Sequence, residues 1–309
     1  MAISDIEREY INNSSWETKE NANRSISYNG LKGYILRKVL LNPSVLVEYF
    51  PKSGVEGHFN GDIHIHKLPD SIWIPYCAGW SYSLLLKKGL ITPKIVSKPA
   101  KHFDVALSHL INMFFMGCEE WSGAQATSHL DLYVSPFANY DHLDYRSVKQ
   151  NFQRFLFDLN YPTRSSYESP FTNITIMLDT IRSSLSQDAI VGGKVVGVLG
   201  DFIDEAILVT KALLDLYIEG DAVGQPFTFP IPTLILTRDF DWNERKWDDL
   251  TYKIFYSLAT KGTLYLLNGY ATNVESLYSM CCRLTLDVSK ILNLSLIHIS
   301  EPTRPRLIS

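Results

Sequence analysis

Three long amphipathic helices separated by short apolar runs constrain this chain most. Asp104–Glu119 reads as a helix with Phe103, Ala106, Leu107, Leu110 and Phe114 on one face. Tyr145–Leu159 is a second, with Val148, Phe152, Phe155, Leu156 and Leu159 in step. Asp201–Glu219 is a third and stops at Gly220. Between them, Phe171–Leu178 alternates and ends before Asp179, and Pro232–Thr237 follows Pro230 and stops at Arg238. Both runs read as strands. Helices of this length alternating with strands predict an α/β architecture with parallel strand units. Residues 1–50 read as short polar helices, and no domain boundary is visible within residues 1–293.

Bulk properties exclude several classes. The 309 residues suffice for one large or two ordinary domains, and 46% hydrophobic with 20% charged residues suits a globular protein. A net charge of −4 offers no surface for nucleic acid. No apolar run approaches the roughly 20 residues of a membrane span. The N-terminus is polar and is no signal peptide, so a cytoplasmic location without membrane contact is expected. Matches such as Asn23-Arg24-Ser25 then carry no glycosylation signal.

Two of the four cysteines stand in unusual company. Cys77 closes the stretch His64-Ile-His-Lys-Leu-Pro-Asp-Ser-Ile-Trp-Ile-Pro-Tyr-Cys77, and Cys282 lies in Ser279-Met-Cys-Cys-Arg-Leu284. Neither belongs to a C-x-x-C, and isolated cysteines among Gly, Pro and aromatics suit redox chemistry better than stapling. The bland reading of Cys77 is a small buried residue behind Trp73 and Trp80. His64 and His66, with His58 and Asp62, have the H-x-H spacing of a metal site at a strand end. That would make a metal-dependent hydrolase on an α/β barrel, but the further ligands are thinly supported and no bound metal is expected. Ser169–Thr175 reads either as a strand start with local Thr and Asn bonds or as a cradle for a nucleotide. Pro226–Thr233 reads as prolines and aromatics fixing a strand.

Six blocks in order carry a resemblance over about residues 25–290. They are His58–His66 with Tyr76-Cys77; Gly123-Ala-Gln-Ala126 with Asp131–Phe137; Ser169–Thr175; Pro226–Thr233; Asn268-Gly-Tyr270; and Cys281–Leu284. Together they resemble the anaerobic, class III, glycyl-radical ribonucleoside-triphosphate reductases. The resemblance implies the N-terminal part of a ten-stranded α/β barrel of two half-barrels, with this chain giving the first half and the start of a central finger loop. It implies anaerobic, thiyl-radical reduction of ribonucleoside triphosphates to deoxyribonucleoside triphosphates for DNA replication. Cys282, beside Arg283, would abstract the C3′ hydrogen, while Cys77 would donate hydrogen and a proton on the opposite face of the sugar. Ser169, Thr172 and Asn173 would bind substrate. It further implies an ATP-binding homodimer set by deoxynucleotide effectors, with a glycyl radical installed by an S-adenosylmethionine iron–sulfur activase.

The chain departs from that pattern at both ends. A regulatory nucleotide-binding cone is not recognisable in residues 1–50. Gly262 and Gly269 are not in a radical-storing motif, and the four-cysteine zinc site belongs to a C-terminal region not present here. No cofactor is therefore assigned to this chain, which is expected to be an inactive fragment. A non-catalytic nucleotide-binding relative is the third reading. Leu294–Arg304 matches a translated sequencing adapter residue for residue, so residues 294–309 are expected to be a non-native tail.

Overall fold

The structure is a computed structural model that describes residues 2–12, 26–92, 95–163, 168–177, 182–237, 240, 248–269, 277–279 and 285–287. Four helices come first: α1 (Ile3–Ile11), α2 (Tyr28–Leu40), α3 (Pro43–Leu46) and α4 (Lys52–Asn60). Ser27 caps α2 by accepting from Gly30 N at 3.0 Å. Asn42 caps α3, whose first residue is Pro43. α1 and α2 form a small core of their own from Ile6, Tyr10 and Tyr34, with Tyr34 donating to Glu9 at 2.7 Å.

The main body then alternates. β1 (Ala78–Trp80) precedes α5 (Tyr82–Lys88) and α6 (Phe103–Glu120). β2 (Gln125–Thr127) precedes α7 (Leu130–Tyr140) and α8 (Tyr145–Asn160). β3 (Thr172–Ile176) leads to the short α9 (Arg182–Leu185), the hairpin β4 (Asp188–Val191) and β5 (Lys194–Val198), and α10 (Ile203–Glu219). β6 (Ile231–Leu236), α11 (Asp248–Thr260) and β7 (Tyr265–Asn268) follow, and then a separate hairpin of β8 (Leu277–Ser279) and β9 (Thr285–Asp287).

Five strands form one sheet in the order β1-β2-β3-β6-β7, and every pairing is parallel. Parallel strands need crossovers, and the helices supply them. α10 packs on α7, α8 and α11. Phe103, Phe114, Phe137, Phe152 and Phe155 are fully buried between helices and sheet. Cutting any of them to Ala costs about 3–5 kcal/mol at such sites.

The three helices expected from periodicity are present, with one change at a boundary. The segment from Asp201 begins as a 3-10 turn over Leu199–Phe202, and the α-helix starts at Ile203. The alternation in Phe171–Leu178 does not separate core from solvent, because every residue of β3 is buried. A parallel strand between other strands is covered on both faces. Of the expected ten-stranded barrel, the described residues form an open five-stranded parallel sheet. α7 was hidden by Pro136, which sits inside it. Pro136 cannot donate to Leu132 O, and Ser135 Oγ bonds that carbonyl instead at 2.8 Å. Among the described residues, no helix is long and apolar enough to cross a membrane.

Candidate active site

Cys77 lies just before β1, where the parallel ladder continues upstream of the strand itself. Ser122 N donates to Pro75 O at 2.9 Å, Gly123 N to Tyr76 O, and Ala78 N to Ala124 O at 3.0 Å. Cys77 is therefore held in extended backbone, and its Sγ accepts the Ala124 N–H at 3.3 Å. Among the described residues Cys77 is in no disulfide, and it is half-buried. Gly123 makes this approach possible: a Cβ there would lie 2.2 Å from Tyr76 O.

Register decides which side the thiol faces. Ala78 pairs with Gln125, and Gln125 with Thr172. Partners in a parallel ladder share a face, and successive residues alternate. Gln125 faces the helices, since a Cβ on Gly117 of α6 would strike its Oε1 at 2.4 Å. Trp80 joins it there, donating Nε1 to Gln125 Oε1 at 2.7 Å. Trp80 also lines an apolar cavity of 310 Å³ on that side, with Leu84, Met113, Met116 and Trp121. Cys77, Gly79, Ala126, Asn173, Thr175 and Thr233 fall on the opposite face by register. Cys77 and Asn173 are two strands apart and two residues out of step, so about 12 Å separates their backbones.

The hairpin β8–β9 packs against β2. Both edges of β2 are taken by β1 and β3, and α6 covers its helix face. The hairpin thus lies over the face that carries Cys77 and Asn173. Its connecting residues 280–284 include Cys281, Cys282 and Arg283, which lie outside the described residues.

The other expected site residues separate. Ser169 Oγ donates to Asn160 O at 2.7 Å. Thr172 is buried on the helix face, with its hydroxyl 3.4 Å from Pro170 O. Asn173 Nδ2 donates to Thr233 Oγ1 at 3.1 Å, and its buried Oδ1 has no hydrogen-bond partner among the described residues. Of these three, Asn173 alone shares the face of Cys77.

His64 and His66 sit on a loop after α4, not at a strand end. Their Nε2 and Nδ1 are 3.3 Å apart, while His58 Nδ1 accepts from Ile65 N at 3.1 Å. Burial holds His66 below its ordinary value, with further lowering by His64 and Lys67. Among the described residues, no group of three His, Cys, Asp or Glu side chains is placed to hold a metal ion. The strand-end geometry that motivated a hydrolase is therefore absent.

Three structural residues escaped the sequence reading. Gln125 links Trp80 to β2. Asn160 accepts from Thr228 and Phe229 N at 3.0 Å each, tying the loop before β6 to α8. Asp131, fully buried, accepts from Met177 N with both carboxylate oxygens at 3.0 and 3.1 Å. Each makes long-range bonds from a sequence position with no local signature. The family block that joins Gly123–Ala126 to Asp131–Phe137 covers Gln125 and Asp131, while nothing in the sequence marked Asn160.

The described residues thus form an α/β arrangement with helices on one face of a parallel sheet and a thiol, small residues and an Asn–Thr pair on the other. Residues 20–303 match the family model for anaerobic ribonucleoside-triphosphate reductase, and the chain belongs to that family. Among solved structures, the anaerobic ribonucleotide reductase from Thermotoga maritima with glycerol in the active site is similar at 20% identity and a TM-score of 0.63, over 86% of this chain and 45% of that one. The same enzyme in complex with dATP and CTP gives 19% identity and 0.60, over 86% and 47%. Another anaerobic ribonucleotide reductase gives 21% and 0.62, over 85% and 44%. These likenesses show the fold, and this chain spans a little under half the length of those proteins. No curated protein matches the chain.

Proposed function

We propose that this chain is the substrate-facing first half of a reductase that converts ribonucleoside triphosphates to deoxyribonucleoside triphosphates. The observation that supports the reading is the packing of β8 against β2, between the strand led by Cys77 and the strand holding Asn173, since β8 precedes Cys281 and Cys282 in the sequence. A sugar bound there would meet a thiol from the sheet on one side and a thiol from the hairpin on the other. Cys282, as a thiyl radical, would take the C3′ hydrogen. Cys77 would give hydrogen and a proton on the opposite side as the 2′-hydroxyl leaves as water. Formate or a thiol protein would supply the two electrons. A glycyl radical, outside this chain and installed by an activase, would supply the oxidising equivalent.

Ser169 and Thr172 would act by setting the backbone that presents Asn173. Nucleotides enter as substrates and effectors by analogy with the Thermotoga maritima enzyme, solved in complex with dATP and CTP. The full barrel, the dimer, the zinc site and the cytoplasmic setting belong to the same proposal.

The test is protection of Cys77 from alkylation. A saturating ribonucleoside triphosphate should slow modification of Cys77 severalfold while leaving the buried Cys118 unchanged. Equal Cys77 rates with and without nucleotide would remove the sugar from this face of the sheet.

A further inference from the structure

The cavity on the helix side of β1 has a chemistry of its own. It encloses 310 Å³ beside α5 and α6, with Leu84, Met113 and Met116 among its apolar walls. That is the small end of the ~300–1,000 Å³ usual for ligand cavities. Cys77 faces the other side of the sheet by register, so the two sites are separate.

Two indoles build one corner of this cavity. Trp80 and Trp121 both line it, with ring centroids 5.1 Å apart and planes at 83°. Trp80 is fixed by the bond from its Nε1 to the fully buried Gln125 at 2.7 Å. Trp121 follows the last residue of α6 and donates its backbone N–H to Gly117 O at 2.9 Å. The corner is therefore set before any ligand arrives. Indole faces carry the negative part of the ring quadrupole and attract cations.

Charges at the mouth point the same way. α5 ends in Lys87 and Lys88, the sign that a helix C-terminus favours. α6 ends in Glu119 and Glu120 with no base in its last turn, the sign that its dipole disfavours. Glu120 is exposed at the cavity and is in no ion pair among the described residues. Its carboxylate works against the helix, and a cation in the cavity would offset that. Lys88 also lines the cavity, but its charge suits the end of α5, and its long stem lets the ammonium turn to water.

The walls narrow the kind of cation. A hydrated metal ion would shed water against Leu and Met side chains that cannot replace it. A nucleotide would bring its phosphates against Glu120 and the C-terminal end of α6. An alkylated ammonium fits both halves: its carbon groups fill the apolar walls, and its diffuse charge rests on the indoles.

We propose that the cavity beside α5 and α6 binds a small organic ammonium ion, with its charge held between the Trp80–Trp121 corner and Glu120. The proposal goes beyond the reductase reading and does not depend on it.

Calorimetric titration of the 309-residue chain with benzyltrimethylammonium chloride tests it. Anionic 3-phenylpropanoate and neutral 3-phenylpropanol serve as probes of similar size. The ammonium should bind about tenfold more tightly than either, as desolvated cation–π contacts allow. Glu120→Gln, at an exposed position, should weaken ammonium binding about threefold and leave the alcohol unchanged. Lys88→Met should tighten the ammonium by a similar factor. Trp121→Leu should remove the preference for ammonium over alcohol. An anion bound as tightly as the ammonium would overturn the proposal. So would unchanged ammonium affinity in Glu120→Gln, a readout that stands even if Trp121→Leu fails to fold. Binding of no probe would overturn it as well. Displacement of the ammonium by a deoxynucleoside triphosphate would assign the cavity to nucleotides instead and refute an ammonium site. None of these outcomes touches the reductase reading, which is tested at Cys77.

Discussion

Gly123 and Cys77 touch so closely that no side chain fits between them: a Cβ on Gly123 would lie 2.7 Å from Cys77 Sγ. The contact follows from ladder pairing upstream of β1, where Gly123 N donates to Tyr76 O. The glycine of the Gly123-Ala-Gln-Ala126 block therefore serves the thiol of a block 46 residues earlier. Gly123→Ala should destabilise the fold by about 1–3 kcal/mol, as overpacking of a closed contact does. It should also change the rate of Cys77 alkylation, because the added methyl must push the thiol aside. A melting temperature and an alkylation rate both equal to those of the unaltered chain would show that the approach is looser than this geometry.

A second glycine sets up a contest of magnitudes. Gly117 lies within α6, where alanine would gain up to about 1 kcal/mol of helix propensity. Its Cβ, however, would meet Gln125 Oε1 at 2.4 Å. Gln125 is fully buried and already holds Trp80 Nε1 at 2.7 Å, so it cannot simply swing away. Steric cost and a lost buried bond together exceed the propensity gain. Gly117→Ala should lower stability by about 1–2 kcal/mol and shift Trp80 fluorescence as its indole N–H loses its acceptor. A stabilised variant would mean that Gln125 has another place to go.

The fold was legible wherever periodicity ran long, and much of the site was not. Helices α6 and α8 announced themselves through Phe103–Phe114 and Val148–Leu159, because an outer helix has one apolar stripe. β1 and β2 each have three residues, too few for any period to show. The face that Cys77 presents depends on register with β2, which no local pattern encodes. Thr172 and Asn173 are neighbours in one motif, yet pleating sends them to opposite faces. Ordered blocks pointed to Asn173, but not to its bond with Thr233 sixty residues away.

Acidification should weaken the fold through His109. Burial holds this imidazole below its ordinary value of 6.5, and its Nε2 lies 2.8 Å from Ser97 Oγ. The folded value is below the unfolded one, so the unfolded chain takes up the proton first. Stability is then unaffected above about pH 6.5 and falls as pH drops from there through the folded value. His66 shifts in the same direction. Melting temperatures between about pH 8 and pH 5 should therefore decline on the acid side. His109→Gln, which can still bond Ser97, should flatten part of that decline. An identical acid slope in the variant would assign the loss to other groups.

Residues 294–309 carry a separate expectation, because their sequence matches a translated adapter. They lie outside the described residues, while the family match runs on to residue 303. The two observations pull apart, and a deletion separates them. If the tail is adapter-derived, no selection has fitted Leu294, Leu296, Ile297 or Ile299 to this fold. Ending the chain at Asn293 should then leave the melting temperature and the nucleotide protection of Cys77 unchanged. Removal of four exposable apolar side chains should, if anything, reduce self-association, since unpaired apolar segments promote it. A midpoint lowered by several degrees corresponds to about 1–2 kcal/mol in a domain of this size. That loss would make the tail part of the packed structure and would return residues 294–303 to the family.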